Sequence, residues 1–346
     1  MSQGTASAQP EAAKRTFNIA VVGVGKVAMQ NYLPALVKHE DVQLRYYNRT
    51  HDKAVAAAAQ FGGEAAVSLD TLMAVPTDAV MVLTKETVRA EIAEQLLGYA
   101  PPRLFFEKPL VAELGQAAVR EADFWRAREL WQRAEGQGTT TAMVFNYRFF
   151  EQTQRARALI AELDLGAPVH FSGLVHYACW SHAIDLVLDF MGPAETISAL
   201  ADRRVGPCMG SENVQNVSVT ARMANEATGT LIGTCGMDFK LPLYELTLAF
   251  THGRIHMRDL DGDLEVIDYR TRHHTLHALP RDVSRWDQYR ASFGKSVDAY
   301  LASIRAGTPP PVPGIAGVRE LQFEAGIKRS LSEGRPVVLD EELPLD

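Results

Sequence analysis

Cysteine is scarce in this chain of 346 residues. Cys179, Cys208 and Cys235 are odd in number and lack C-x-x-C spacing. That excludes a zinc ribbon or finger and fits a protein kept in a reducing cytoplasm. Long apolar runs are missing as well: none reaches the roughly 18 residues that suggest a membrane span. No extended basic block occurs and the net charge is −7, which argues against nucleic acid as the main partner. There is no internal repeat. Residues 1–16 are rich in Ala, Gln and Ser without an apolar core, and read as a flexible tail, not a signal peptide. What remains is an ordinary globular composition, 47% apolar and 22% charged, on a chain long enough for two substantial cores.

The most informative stretch is Asn18 to Ala28, NIAVVGVGKVA. Ile19 to Val22 form a short apolar, β-branched run that predicts a buried strand. Gly23, Gly25 and Ala28 complete G-x-G-x-x-A at its end, and a helix-compatible segment follows. Strand, glycine turn and helix are the context of a dinucleotide-binding fingerprint. Gly23 permits the tight turn, Gly25 lets a pyrophosphate approach, and Ala28 allows close helix packing. Lys26 and Val27 lie within the motif and join the expected cofactor contacts, where a helix N-terminus favours phosphate.

The next strand, Val42–Tyr47, ends in Asn48-Arg49-Thr50. An NAD enzyme usually places a carboxylate here for the ribose diol. Glu40 and Asp41 lie at the wrong end of the strand. Asn48 does not repel a 2′-phosphate, Arg49 can grip one with paired donors, and Thr50 adds a hydroxyl. The sequence therefore favours NADP over NAD.

From residue 17 to about 146, predicted strands (18–23, 42–47, 78–83, 103–106, 140–145) alternate with helices (26–38, 51–61, 86–98, 118–136). That rhythm predicts a doubly wound parallel sheet with ligands at the carboxyl ends of its strands. After residue 150 it gives way to a helix at 151–163, a strand at 168–177, a helix at 182–191 and long alternating segments such as Val217 to Met223. These predict a large, mostly antiparallel sheet with one half-exposed face. Helices at 285–306 and 315–333 close the chain. The expected fold class is α/β, a Rossmann-type domain over 17–148 plus an α+β domain over 149–346, with the last helix free to return to the first.

Glu107-Lys108-Pro109 follows the apolar strand RLFF, where strand ends face a nicotinamide. Lysine serves as a general acid or base when its surroundings tune it, and Glu107 can orient the ammonium or the cofactor. Thr84 ends the strand before, and joins the cofactor contacts. In the segment Thr84 to Arg89, Lys85 and Arg89 read as surface charges, with contact to an anionic group as the alternative. His182, Asp185 and Asp189 share one face of a helix whose other stripe is apolar. His273, His274 and His277 read as exposed strand residues without metal-site spacing, and Trp125 and Trp131 as packing residues.

The fingerprint at 23–28, EKP at 107–109, FNYRF at 145–149, HAIDL at 182–186 and FTHGRIHM at 250–257 together resemble the glucose–fructose oxidoreductase and inositol dehydrogenase family (Gfo/Idh/MocA). The resemblance covers nearly all of the chain after the tail. It implies a dinucleotide domain joined to an open-faced sheet, polyhydroxylated substrates (pyranose, cyclitol or sugar nucleotide), and dimers or tetramers formed through the sheet. It also implies a catalytic Lys108 and His182, with Asn146, Tyr147, Arg148 and Asp185 near substrate. The chain departs from the family pattern at Ala178, where an aspartate is usual, and at Trp180, where glycine is common. The reading is an NADP-dependent oxidoreductase of a hydroxyl or ketone carbon, with no metal. Its rivals are a non-catalytic dinucleotide-binding regulator and a reductase of an imine or other non-sugar substrate.

Overall fold

The computed structural model describes residues 15–208, 211–237, 242–280, 282 and 284–346. The expected tail over 1–16 lies almost wholly outside them. Six strands form the first sheet: β1 Phe17–Val22, β2 Val42–Tyr47, β3 Glu64–Ala65, β4 Ala79–Val82, β5 Arg103–Phe106 and β6 Thr140–Met143. They lie in the order β3-β2-β1-β4-β5-β6, and every pairing is parallel. The apolar runs read from sequence are those strands, buried because helices cover both faces.

Register places the site. Val22 pairs with Tyr47 and Val82, Val82 with Phe106, and Phe106 with Met143. Five strands thus end at one level. The segments that leave them, from Gly23, Asn48, Leu83, Glu107 and Val144, emerge along one edge. The helix expected at 26–38 opens with a π-helical turn, Ala28–Tyr32, and continues as α over Leu33–Leu36.

The second sheet has nine strands: β7 Pro168–His176, β8 Ala194–Ala201, β11 Val217–Met223, β12 Thr228–Thr234, β13 Tyr244–Phe250, β14 Gly253–Arg258, β15 Leu264–Asp268, β16 His273–His277 and β17 Val337–Val338. The short pair β9 Gly206–Cys208 and β10 Ser211–Val214 stands apart from it. The order is β16-β15-β14-β13-β7-β12-β11-β8-β17. Only β7 and β12 pair in parallel. Val217, Val219, Ala221 and Met223 turn inward while Ser218, Thr220 and Arg222 face out, the alternation of a half-covered sheet. Helices Glu151–Glu162, Trp180–Met191 and Ile315–Glu333 pack against the inward face. On the open face, the register lines up Leu200, Ser218, Ile232 and Leu174, and three of these are exposed apolar side chains.

Helix Arg285–Ala306 begins with a reciprocal cap, in which the Ser284 hydroxyl accepts the Asp287 N–H and the Asp287 carboxylate accepts the Ser284 N–H. It then crosses back onto the first sheet. Phe293 packs edge-on to Tyr32 at 5.3 Å and Tyr300 meets Phe105 at 4.7 Å. Helix Ile315–Glu333 lies against helix Glu121–Gly136 and β8, so it touches both units.

Cys208 and Cys235 are joined as a disulfide with Cα atoms 5.9 Å apart. Their separation of 27 residues carries no local pattern that would reveal the pairing. Cys179 is free and buried. No helix among the described residues is long and apolar enough to cross a membrane. None of their His, Cys, Asp and Glu side chains cluster to hold a metal ion.

Candidate active site

The aligned strand ends open onto a cleft of about 940 Å³. Gly23, Gly25, Lys26, Val27, Asn48, Arg49, Thr50, Thr84 and Glu107, all read from sequence as cofactor contacts, line it. Two glycines serve different ends. Gly23 has φ +94°, and a Cβ there would lie 2.7 Å from the Thr84 nitrogen, so the turn must pass close beneath the loop after β4. A Cβ on Gly25 would meet nothing within 4 Å: its bare backbone faces open space. The buried Thr84 hydroxyl has no partner. A cradle of open backbone with an unsatisfied hydroxyl beside it fits a phosphate-bearing dinucleotide.

Asn48 is fixed by the backbone. Its Oδ1 accepts the Val24 N–H at 3.2 Å and its Nδ2 donates to the Thr50 carbonyl at 3.0 Å. A neutral amide therefore closes the glycine turn where a carboxylate would otherwise meet a ribose. Arg49 stands beyond it, joined on the cleft wall by Lys53, which the sequence reading missed.

Glu107 is held from two sides. The Tyr32 hydroxyl donates to its Oε1 at 2.7 Å and the Lys108 N–H donates to its Oε2 at 2.9 Å. Arg89 corrects its reading as a surface charge. It is 2% exposed. Its guanidinium donates to the carbonyls of Glu107 and Thr84, at 2.7 and 2.6 Å, and to that of Pro109. A buried cation spent on three carbonyls fixes the backbone on both sides of Lys108. The sequence offers no periodic cue for it, because the groups it serves lie in loops from two other strands.

Lys108 sits at a junction. It lines the cofactor cleft and also a second cavity of about 180 Å³, with Gln116, Tyr177, Ala178, Trp180 and Glu320 among the walls of the second. Its Nζ donates to the Gln116 side-chain oxygen at 3.2 Å.

Asn146 reaches the cleft and donates to the Ser292 hydroxyl at 2.9 Å. Tyr147 and His182 are buried behind the cavities and line neither. Their rings stack at 3.9 Å, and the Tyr147 hydroxyl meets the Cys179 sulfur at 3.1 Å. Burial holds His182 well below its ordinary pKa, with the charge of Lys108 acting in the same direction. Its Nδ1 has no partner.

Arg148 and Asp185, expected near substrate, line neither cavity. Arg148 binds the Asp185 carboxylate through two nitrogens, at 2.8 and 2.5 Å, and Asp189 at 2.7 Å. Burial pushes the Asp185 carboxyl up to about 6, with Arg148 pulling it back down. The pair satisfies itself and ties the turn at 146–149 to helix Trp180–Met191. That helix begins at Trp180, two residues before the expected start, after a 3-10 turn over Tyr177–Cys179. His273 and His274 are exposed on edge strand β16, as read, while His277 at its end is half-buried; Trp125 and Trp131 pack against the core.

Residues 17–145 match the family described as "Oxidoreductase family, NAD-binding Rossmann fold" (GFO_IDH_MocA). No curated protein matches the sequence. Among solved structures, an oxidoreductase from Agrobacterium radiobacter in complex with NAD+, L-tartaric acid and magnesium is similar at TM-score 0.76 and 16% identity, over 94% of this chain and 99% of that one. The WlbA dehydrogenase from Bordetella pertussis, in complex with NADH and UDP-GlcNAcA, is similar at TM-score 0.73 and 18% identity, over 97% and 100%. A super-repressor mutant of Gal80p from Saccharomyces cerevisiae is similar at TM-score 0.76 and 11% identity, over 94% and 98%. The likeness of fold thus spans both sheets. The family match covers residues 17–145, the first sheet and the helices that flank it.

Proposed function

We propose that the protein is an NADP-dependent oxidoreductase acting on a hydroxyl or ketone carbon of a sugar, sugar nucleotide or cyclitol. The observation that carries this reading is the position of Lys108, on the shared wall of the dinucleotide cleft and the second cavity. A group there touches the reacting carbon's oxygen while the pyrophosphate is held about the glycine turn. The dinucleotide, when bound, supplies the hydride chemistry. Lys108 donates a proton to the forming alkoxide in reduction or accepts it in oxidation. Glu107, locked by Tyr32 and the Lys108 amide, holds that end of the cleft in place. Thr84 and the turn from Gly23 to Val27 bind phosphates. His182, stacked on Tyr147 and lining neither cavity, is a packing ring beside this machinery and not its proton donor.

NADP is favoured because Arg49 and Lys53 share the cleft wall beyond a neutral Asn48. Equilibrium titration with NADPH and NADH tests this, on the parent protein and on Arg49→Ala. NADPH should bind more tightly, and the variant should lose roughly tenfold or more of NADPH affinity, the scale of one charged hydrogen bond, with NADH unchanged. Equal affinities in the parent would remove the argument.

One observation favours the regulatory reading. Arg148 and Asp185 spend their charges on each other, which leaves the substrate cavity with fewer fixed polar groups than the sequence pattern promised. A turnover assay over polyols and keto-sugars separates the two: cofactor binding with no turnover across the panel would support a sensor.

A further inference from the structure

The last helix brings an unexpected group into the substrate cavity. Glu320 lies one turn before Glu324 on helix Ile315–Glu333, and both line the cavity that Lys108 enters. Glu320 is 1% exposed, and its Oε2 is buried with no partner. Glu324 is better provided: Trp180 donates a hydrogen bond to it and Lys328 offers a positive charge. The two neighbours thus differ in one respect. Glu324 has a donor from the protein, and the Glu320 oxygen has none.

A buried acceptor without a donor is costly to keep. Burial and the neighbouring Glu324 hold the Glu320 carboxyl well above its ordinary range, and Lys108 pulls it the other way. Such a group is stabilised by a donor that also brings positive charge. A stability cost retained inside a ligand cavity is the usual mark of a binding group.

We infer that Glu320 receives an amino group of the substrate, which makes the substrate an amine-bearing polyhydroxylated ring such as an amino sugar or amino cyclitol. This rests on the reading of the Lys108 cavity as the substrate site. The amine sits on the wall formed by the last helix, and the reacting hydroxyl or ketone carbon lies towards Lys108. Carboxylate-bearing sugars are disfavoured, because they would face Glu320 and Glu324 directly.

The test has two arms, and neither needs turnover. The first measures binding by calorimetry to the full-length protein, using matched pairs: glucosamine against glucose, galactosamine against galactose, and glucuronate as the acidic member. Amines should bind at least about tenfold more tightly than their neutral partners, the scale of one charge-assisted contact. Glu320→Gln should erase that preference, and Glu324→Gln should leave most of it. No amine preference across the panel, or one that survives Glu320→Gln, overturns the proposal. The second arm is the melting temperature of the ligand-free protein. Glu320→Gln should melt at or above the parent, since a liability is removed. A lower melting temperature, in that variant or in Glu320→Leu, would mark Glu320 as structural and also overturn it. Loss of NADPH binding or of turnover would count against the oxidoreductase reading and leave both arms intact.

Discussion

Lys108→Ala should bind NADPH as the parent does and lose roughly 10²–10⁴-fold in kcat, the usual contribution of a general acid or base. His182→Ala should cost far less in kcat, because its ring lines neither cavity and lies stacked on Tyr147. Measuring kcat for both variants ranks them. Near-normal turnover in Lys108→Ala would remove the mechanism, and a larger loss in His182→Ala would move the proton transfer to the histidine. At this scale the sequence was informative for residues in the turns that leave the strands. Gly23, Gly25 and Asn48 directly follow apolar strands, so spacing revealed them, even though Gly23 abuts Thr84 and Asn48 holds Val24. Arg89 and Glu320 act on loops and cavities assembled from distant segments, and a helical pattern gives no sign of which charge will be drawn inward.

Element by element, the parallel sheet was the most legible part. Its apolar runs match β1 to β6 to within two residues, apart from the two-residue β3, which is too short to show a pattern. In the second sheet, alternation found β11 and missed β8 and β12, whose inward positions are filled partly by Ala and Gly, with little apolar contrast. The helix at Trp180–Met191 was legible as an element, and the pairing of its carboxylates with Arg148 was not. That pairing gives an element-scale prediction. Arg148→Ala leaves Asp185 buried without its partner and should destabilise the protein by about 3–5 kcal/mol, whereas replacing both residues with apolar ones of similar size should cost much less. Urea denaturation of the two variants decides it. Equal losses would mean that the pair is not a coupled unit.

On the scale of the whole molecule, the open face of the nine-stranded sheet calls for a partner. Leu200 is 77% exposed, Ile232 42% and Leu174 37%, in one line across four strands. Association through this face into a dimer or tetramer is expected. Light scattering should show it at micromolar concentration, and Leu200→Asp with Ile232→Asp should reduce the assembly. A parent protein that scatters as a monomer would refute it. The return of helix Arg285–Ala306 to the first sheet has a different consequence. The surface it covers, including Tyr32, Leu33 and Phe105, is fully buried in the intact chain. A fragment ending at residue 148 would carry every strand of its sheet and still be missing part of its own interior. Each half should aggregate when expressed alone, and the two expressed together should assemble by complementation into a soluble particle that binds NADPH. A first half that folds and stays monomeric unaided would show that the returning helix is dispensable.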